Sequence, residues 1–493
     1  MNQRVVLLLF LGVVTLLRWW WLTPQDLPPS AAYLALCGFS PSVAYFDGPA
    51  GTAMSVAFGT RFGGAGALGG ALLWPVFAAV ATLAFYWLAS PLIGKRGALA
   101  SAVLLNLLPA FNAAAVSPTC AMPLTMFALG FFACVWRALA TSAIVWWLGA
   151  GLCAAGGLFF DYLGWFFLPS ALVIMLASHR WRPQLLEPGF WVSLLPSLAL
   201  LAWLSAWNAE HGWVHFIGGT WQTATSLDLR LLPGGLYQAA LGASPLVFLA
   251  LAAGIYFTAR EVRVAPRAKF VAVPALISLL VAAYIVMRSE PARAAGLVGV
   301  ALTVPLLAWV PMRSQVAAVV FMTAALWTAG AFWTNPPRPA TVTAQVAQEI
   351  EHLRSANTAD PAAPVFLIAR DAPLASALAL HLPDTSFVAP GHPPVYVVES
   401  PYADSQYALW PRYDQFVDAP PPAEVAADPF TEQDGANPFL WRSALYITPQ
   451  KPEELPQSIT AAFASHRLLA EITTPSGEVL RVYLCSEYET LPL

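Results

Sequence analysis

No Asp, Glu, Lys or Arg stands between Arg61 and Lys95, and none between Arg96 and Arg137. Runs of that length, filled with Ala, Leu, Val, Phe and Trp, exceed what a buried strand or core helix needs, so the solvent around them must be a bilayer. A hydrocarbon core of about 30 Å takes roughly 20 apolar residues as a helix, the form that pairs every backbone N–H and C=O within one segment. That ruler places eleven spans, near 4–22, 66–90, 97–115, 119–138, 141–160, 163–178, 187–206, 236–258, 270–287, 294–311 and 315–333. Only 10% of the 493 residues are charged, against about 25% in a soluble domain, and charges return at ordinary density near Thr334. The expected organisation is a polytopic α-helical membrane domain over residues 1–333, with a first loop at 23–64, and a C-terminal α/β domain over 334–493. No small-residue cleavage site directly follows the first span, so an uncleaved signal anchor is expected.

Lys and Arg set the orientation. With a cytoplasmic N-terminus, the inner ends and loops carry Arg4, Lys95, Arg96, Arg137, Arg180, Arg182, Arg260, Arg263, Arg267, Lys269 and Arg313, whereas the outer loops carry only Arg61, Arg230, Arg288 and Arg293. Eleven against four puts the loop 23–64, the segment 208–235 and the C-terminal domain together on the outer, extracytoplasmic face of the cytoplasmic membrane. The net charge of −3, without a Lys/Arg cluster, excludes a nucleic-acid footprint. The five cysteines form no metal pattern and no disulfide framework; only Cys37 and Cys485 could meet in an oxidising compartment. The letters Gly64-Ala-Gly66-Ala-Leu-Gly69 match a dinucleotide fingerprint, but no strand precedes them, and small residues permitting close helix approach explain them better.

In the C-terminal part, Val342, Val346, Ile350 and Leu353 have helical spacing, Pro364–Ala369 and Val395–Glu399 read as strands, and Pro452–Leu468 reads as a further helix. A hairpin is expected over Leu468–Thr474 and Val479–Ser486, turning at Pro475-Ser-Gly-Glu478. Asp418–Asp428, rich in Pro and Ala, reads as a surface loop.

The first outer loop contains Ser30-Ala31-Ala32-Tyr33 and, further on, Tyr45-Phe46-Asp47-Gly48-Pro49-Ala50; later stretches include Ser117-Pro118-Thr119, Asp161-Tyr162, Trp207-Asn208-Ala209-Glu210-His211-Gly212-Trp213, Ser405-Gln-Tyr-Ala-Leu-Trp-Pro411 and Leu480-Arg-Val-Tyr-Leu-Cys485. This set resembles the GT-C membrane glycosyltransferases, in particular the bacterial branch related to protein O-mannosyltransferases and the lipid A aminoarabinose transferase. Such enzymes typically carry Asp-Glu-Ala-Tyr and Tyr-Phe-Asp-His-Pro-Pro in that loop. The resemblance implies transfer of a sugar from a polyprenyl-phosphate donor to an acceptor hydroxyl on the outer face, with membrane lipid and the polyprenyl-phosphate carrier as partners and no further cofactor. It also implies lost acids: the leading Asp position is Ser30, the Glu position Ala31, the His position Gly48, the second Asp position Thr119 and the Lys position Asp161.

The reaction needs a carboxylate to take the acceptor's proton and positive groups to steady the departing phosphate. Asp47 keeps its family setting, though an acid there could merely cap a helix beginning at Pro49. Asp26 stands four residues before Ser30, where it also reads as a solvated loop acid, and Glu210 lies in the later motif, so these three are the candidate catalytic acids. Tyr33, Ser30, Asp161, Tyr162, Asn208 and His211 are candidate substrate- or lipid-binding residues. Glu210, His211 and His215 follow no zinc motif, and no metal site is assigned. Arg18, ahead of Trp19-Trp20-Trp21, is expected to snorkel to the headgroups or to pair with a lipid phosphate. Two further classes compete with an active transferase: a catalytically silent relative that binds lipid and serves a partner as scaffold, and a polyprenyl-linked glycan transporter. The transporter ranks last for want of internal duplication.

Overall fold

The computed structural model describes residues 3–217, 227–261, 266–288, 293–310, 314–334, 342–361, 364–382, 392–400, 403–415 and 437–490. The loop Asp418–Asp428 lies outside them. The chain divides into two compact units: residues 1–24 with 41–337, and residues 25–40 with 338–493. The first loop is therefore split, its leading part belonging to the second unit.

In order the helices are α1 (Gln3–Leu22), α2 (Pro29–Phe39, in the second unit), α3 (Gly51–Gly63), α4 (Ala67–Gly70), α5 (Trp74–Asn106), α6 (Pro109–Val116), α7 (Ala121–Thr141), α8 (Ile144–Phe160), α9 (Phe167–Leu176), α10 (Pro188–Glu210), α11 (Val214–Ile217), α12 (Leu232–Ala243), α13 (Pro245–Glu261), α14 (Pro266–Met287), α15 (Arg293–Thr303) and α16 (Ser314–Thr334). Each of the eleven apolar segments falls on one or two of them. Among the described residues six helices are long and apolar enough to cross a bilayer, seven if the pair α12 and α13, bent by 106°, counts as one span. The difference from eleven has a physical source. The segments at 144–160, 162–176 and 294–308 are helical but shorter than a full crossing, and α5 joins two expected spans across Gly94, whose φ of +77° breaks the helix. The α12/α13 bend sits at Ser244, φ +71°, followed by Pro245.

Small residues set the closest approaches. A Cβ at Gly59 would overlap the carbonyl oxygen of Gly69, and one at Gly69 that of Gly64, so the glycine-rich letters serve α3–α4 packing. Across α7 and α8, a Cβ on Gly149 would stand 3.2 Å from the Cys134 sulfur and one on Gly130 3.2 Å from that of Cys153, which makes both thiols small core groups. Arg18 does not snorkel. It is 5% exposed, with Nη2 donating to the Oδ1 atoms of Asn106 (3.0 Å) and Asn112 (2.8 Å) and the guanidinium 5.7 Å from the Phe111 ring centroid. Two amide oxygens and an aromatic face hold a charge that would otherwise be prohibitive in an apolar interior.

The second unit is built on a five-stranded sheet of order β4-β3-β5-β7-β6, where β3 is Phe366–Ala369, β4 Tyr396–Val397, β5 Ala444–Thr448, β6 Phe463–Thr473 and β7 Val479–Tyr488. β3 runs parallel to β4 and β5, whereas β7 runs antiparallel to β5 and β6. Side chains alternate between two cores. Leu367, Leu445, Ile447 and Val482 face one, with α17 (Ala344–Asn357), α18 (Ala372–Ala379) and residues of α2; Phe366, Tyr396, Tyr446 and Tyr483 face an aromatic one. The helix expected over Pro452–Leu468 is not formed. A 3-10 turn at Pro452–Glu454 and the short α19 (Gln457–Thr460) give way to β6 at Phe463, because Phe463 through Leu468 find partners along Tyr488 to Tyr483. Ladder pairing overrides local helical spacing there. Cys37 and Cys485 are both buried free thiols.

Candidate functional site

In the first unit, β1 (Ala44–Tyr45) and β2 (Gly48–Pro49) form a minimal hairpin with Phe46-Asp47 at its tip. Gly48 has φ +144°, a conformation that side chains rarely adopt. The glycine at the family's His position is thus what this turn requires. α3 begins at Gly51 with Ala50 as its cap residue and no side-chain cap, so Asp47 does not start the helix. Its side chain is exposed at the hairpin tip.

The motif Trp207 to Trp213 is a helix ending that folds the chain back. Gly212 (φ +66°) and Trp213 (φ +56°) are left-handed, and the Trp213 N–H donates to the Asn208 carbonyl at 2.6 Å. That reversal brings α11 against the last turn of α10 and sets His215 beside Asn208. His215 Nε2 donates to the Tyr45 carbonyl at 2.6 Å. Its Nδ1 then carries the lone pair, which receives the Tyr162 hydroxyl at 2.7 Å and the Asn208 amide at 3.1 Å. The partners fix one neutral tautomer. Burial lowers the pKa of the ring, the Tyr45 carbonyl opposes this, and the charge of His211 adds a smaller lowering. Trp207 stacks on both imidazoles, 4.0 Å from His211 and 5.1 Å from His215, while His211 Nδ1 bonds the Trp207 carbonyl at 2.8 Å. His215 is a fastener that ties the Asp47 hairpin to Tyr162 and to the end of α10. Sequence reasoning met it only as part of a metal cluster. Its spacing of one turn after His211 was the available signal.

Of the sequence-derived candidates in this unit, Tyr162 and Asn208 converge on His215, and Asn208 is fully buried, also donating to the Leu204 carbonyl at 2.9 Å. Asp161 is engaged locally: Oδ1 accepts from the Leu163 N–H at 2.8 Å, capping the 3-10 turn Tyr162–Phe166, and Oδ2 accepts from the Cys120 thiol at 3.0 Å. An acid at the family's Lys position therefore acts here as a cap. Thr119 accepts from the Trp74 indole at 2.9 Å through its backbone carbonyl. Glu210 is exposed at the last position of α10.

The remaining candidates lie in the second unit. Ser30 is exposed on the first turn of α2, while Ala31 is fully buried in the core beside α18. Tyr33 packs against the same core, and its hydroxyl accepts from the Gln406 N–H at 2.8 Å. This bond ties the Ser-Ala-Ala-Tyr stretch to Ser405–Pro411. Asp26, exposed ahead of α2, acts electrostatically on His381.

Residues 47–207 match the family model of the dolichyl-phosphate-mannose-protein mannosyltransferases. No curated protein sequence matches the chain. The fold is similar to that of ArnT from Cupriavidus metallidurans bound to undecaprenyl phosphate, with a TM-score of 0.62 and 15% identity over 99% of both chains. The apo form gives the same score and identity over 96% of this chain and 97% of that one. The archaeal oligosaccharyltransferase AglB from Archaeoglobus fulgidus, in complex with an inhibitory peptide and a dolichol-phosphate, is more distant, with a TM-score of 0.51 and 12% identity over 77% of this chain and 63% of that one. Membrane-length apolar helices and a sheet-bearing C-terminal unit thus go with a fold similar to that of ArnT, and with a match over residues 47–207 to the model of the dolichyl-phosphate-mannose-protein mannosyltransferases.

Proposed function

We propose that this chain transfers a sugar from a polyprenyl-phosphate donor to an acceptor hydroxyl at the outer face of the cytoplasmic membrane, with the N-terminus cytoplasmic and the C-terminal unit extracytoplasmic. The observation that carries the reading is Asp47, an exposed carboxylate at the tip of a two-residue turn whose backbone is fastened from behind by His215. A fixed carboxylate suits a reaction that builds positive charge at C1 as the phosphate departs, because preorganised charge stabilises a transition state at little reorganisation cost. Asp47 takes that orienting role. The family match over 47–207 begins at this residue, and the undecaprenyl-phosphate complex of ArnT supports a lipid-linked donor.

The test is transfer of labelled sugar from a panel of polyprenyl-phosphate donors by the purified protein and by Asp47→Asn. Turnover that falls at least about 100-fold in the variant, with donor binding kept, supports the reading. Donor binding without turnover in the intact protein would instead establish a silent relative that serves a partner.

A further inference from the structure

The Tyr162 hydroxyl is aimed at a base. It donates to His215 Nδ1 at 2.7 Å, and the opposite nitrogen of that ring is held by the Tyr45 carbonyl at 2.6 Å. A hydroxyl on an imidazole that a third group orients is the arrangement that activates weak hydroxyls for proton transfer. The Asn208 amide reaches the same phenol oxygen at 3.3 Å, which leaves it room for a second donor. Tyr162 is half-buried whereas His215 is 4% exposed, so a substrate can meet the phenol but not the imidazole. All these groups share the first unit with Asp47, and the hairpin is held to this corner twice. His215 bonds Tyr45, two residues before Asp47, and Gly51 rests on the end of α8, where a Cβ would stand 2.6 Å from the Phe159 carbonyl oxygen. α8 leads directly into Asp161 and Tyr162.

We propose that Tyr162 and His215 form the proton relay of the transfer, Tyr162 meeting the acceptor hydroxyl and His215 taking the proton; this rests on the transferase reading above. An acceptor hydroxyl must give up its proton as its bond to C1 forms. A phenol, with an ordinary pKa of about 10, is no base at neutral pH unless its own proton has somewhere to go. The acceptor O–H passes its proton to the Tyr162 oxygen while the Tyr162 proton moves to His215 Nδ1. The acceptor oxygen bonds to C1, and the bond from C1 to the phosphate oxygen breaks with its electron pair leaving on the polyprenyl phosphate. Once product has left, the imidazolium returns its proton to the Tyr162 oxygen as the phenol proton passes to water. Burial lowers the pKa of the His215 ring, the Tyr45 carbonyl opposes this and His211 adds a smaller lowering, so the ring is neutral at neutral pH, as a proton acceptor must be. The titratable groups facing it are Tyr162 and His211. On the elements packed against it, Asp47 and Glu210 are exposed, and Asp161 is held by the Leu163 N–H and the Cys120 thiol.

The experiment uses the full-length protein with the donor panel above and the variants Tyr162→Phe and His215→Gln. Tyr162→Phe keeps the ring and deletes the hydroxyl; His215→Gln keeps a hydrogen-bonding side chain that cannot take a proton. Both should lose about 10²- to 10⁴-fold in kcat with donor binding unchanged. Wild-type kcat/KM should fall on acidification along a limb centred below about 6.5, as His215 becomes protonated, and the residual activity of His215→Gln should lack that limb; a purely structural role would leave it in place. If Tyr162→Phe turns over like the wild type while Asp47→Asn is inactive, the transferase reading stands and the relay is wrong. If the wild type transfers from no donor, both are wrong. A Tyr162→Phe protein lost to misfolding leaves the decision to His215→Gln, where full turnover or a retained limb overturns the proposal. Should that variant be lost too, a wild-type profile without the acid limb does so.

Discussion

Placing an acid at Ser30 and at Ala31, one at a time, should have unlike consequences. Ser30 is exposed on the N-terminal turn of α2, where the positive end of the helix dipole favours a negative charge. Ser30→Asp should therefore melt like the wild type or slightly above it. Ala31 is 0% exposed, in a core that includes Leu374, Ala375 and Leu378 of α18. A glutamate there must displace packed side chains, at about 1–3 kcal/mol, and its carboxyl has no partner in that core. If burial raises its pKa by about 3 units, ionisation in the unfolded chain adds about 4 kcal/mol of destabilisation at neutral pH. The sum is about 5–7 kcal/mol at neutral pH. The ionisation part should shrink as pH falls, because the carboxyl is raised in the folded state and the unfolded chain loses its advantage once both forms are protonated. The assay is thermal unfolding of each variant in detergent, followed by tryptophan fluorescence between acid and neutral pH. An Ala31→Glu protein that melts with the wild type at neutral pH, or whose deficit does not change with pH, would refute the packing argument for why this position carries alanine.

His215→Ala removes the donor to the Tyr45 carbonyl and the acceptor for Tyr162. Leaving those groups unpaired should cost about 2–4 kcal/mol locally, seen as faster hydrogen exchange, by about 30- to 10³-fold, at the Ala50 amide that closes the hairpin on Val43. Because burial depresses the His215 pKa, its contribution is complete above the ordinary imidazole value of about 6.5 and is lost as pH falls below it; exchange at the same amide should quicken on acidification in the wild type but not in His215→Gln. Asn112→Ala strips Arg18 of an acceptor bonded to both Nε and Nη2 and should destabilise by about 3–5 kcal/mol, whereas Arg18→Leu, which removes the charge itself, should cost much less. Comparison of their melting temperatures decides between a structural cluster and a surface anchor. Tyr33→Phe, which deletes the acceptor of the Gln406 N–H, should cost about 1 kcal/mol and loosen residues 405–410 in hydrogen exchange.

The amino-acid sequence by itself determined the class of this protein. Apolar runs of bilayer length leave no other solvent, and the change of composition near residue 334 is visible because a soluble domain needs charged surface that the membrane part excludes, whereas only the fold assigns residues 25–40 to the second unit. The motif Trp207–Trp213 was legible as a unit because it is local: a helix end and two left-handed residues act within one turn. Tertiary structure alone decided what the candidate residues do. Arg18 reads as an interfacial anchor until Asn106 and Asn112, far along the chain, are placed beside it. The helix expected at 452–468 fails because β7 supplies partners no local window contains. Ser30 and Ala31 are adjacent letters of one motif, yet one meets water and the other α18. Asp26 acquires a histidine neighbour only when α2 packs on a helix more than 340 residues later. Periodicity and composition report the solvent each residue will meet, whereas the pairing of distant polar groups depends on which elements the chain brings together, and that is a property of the fold.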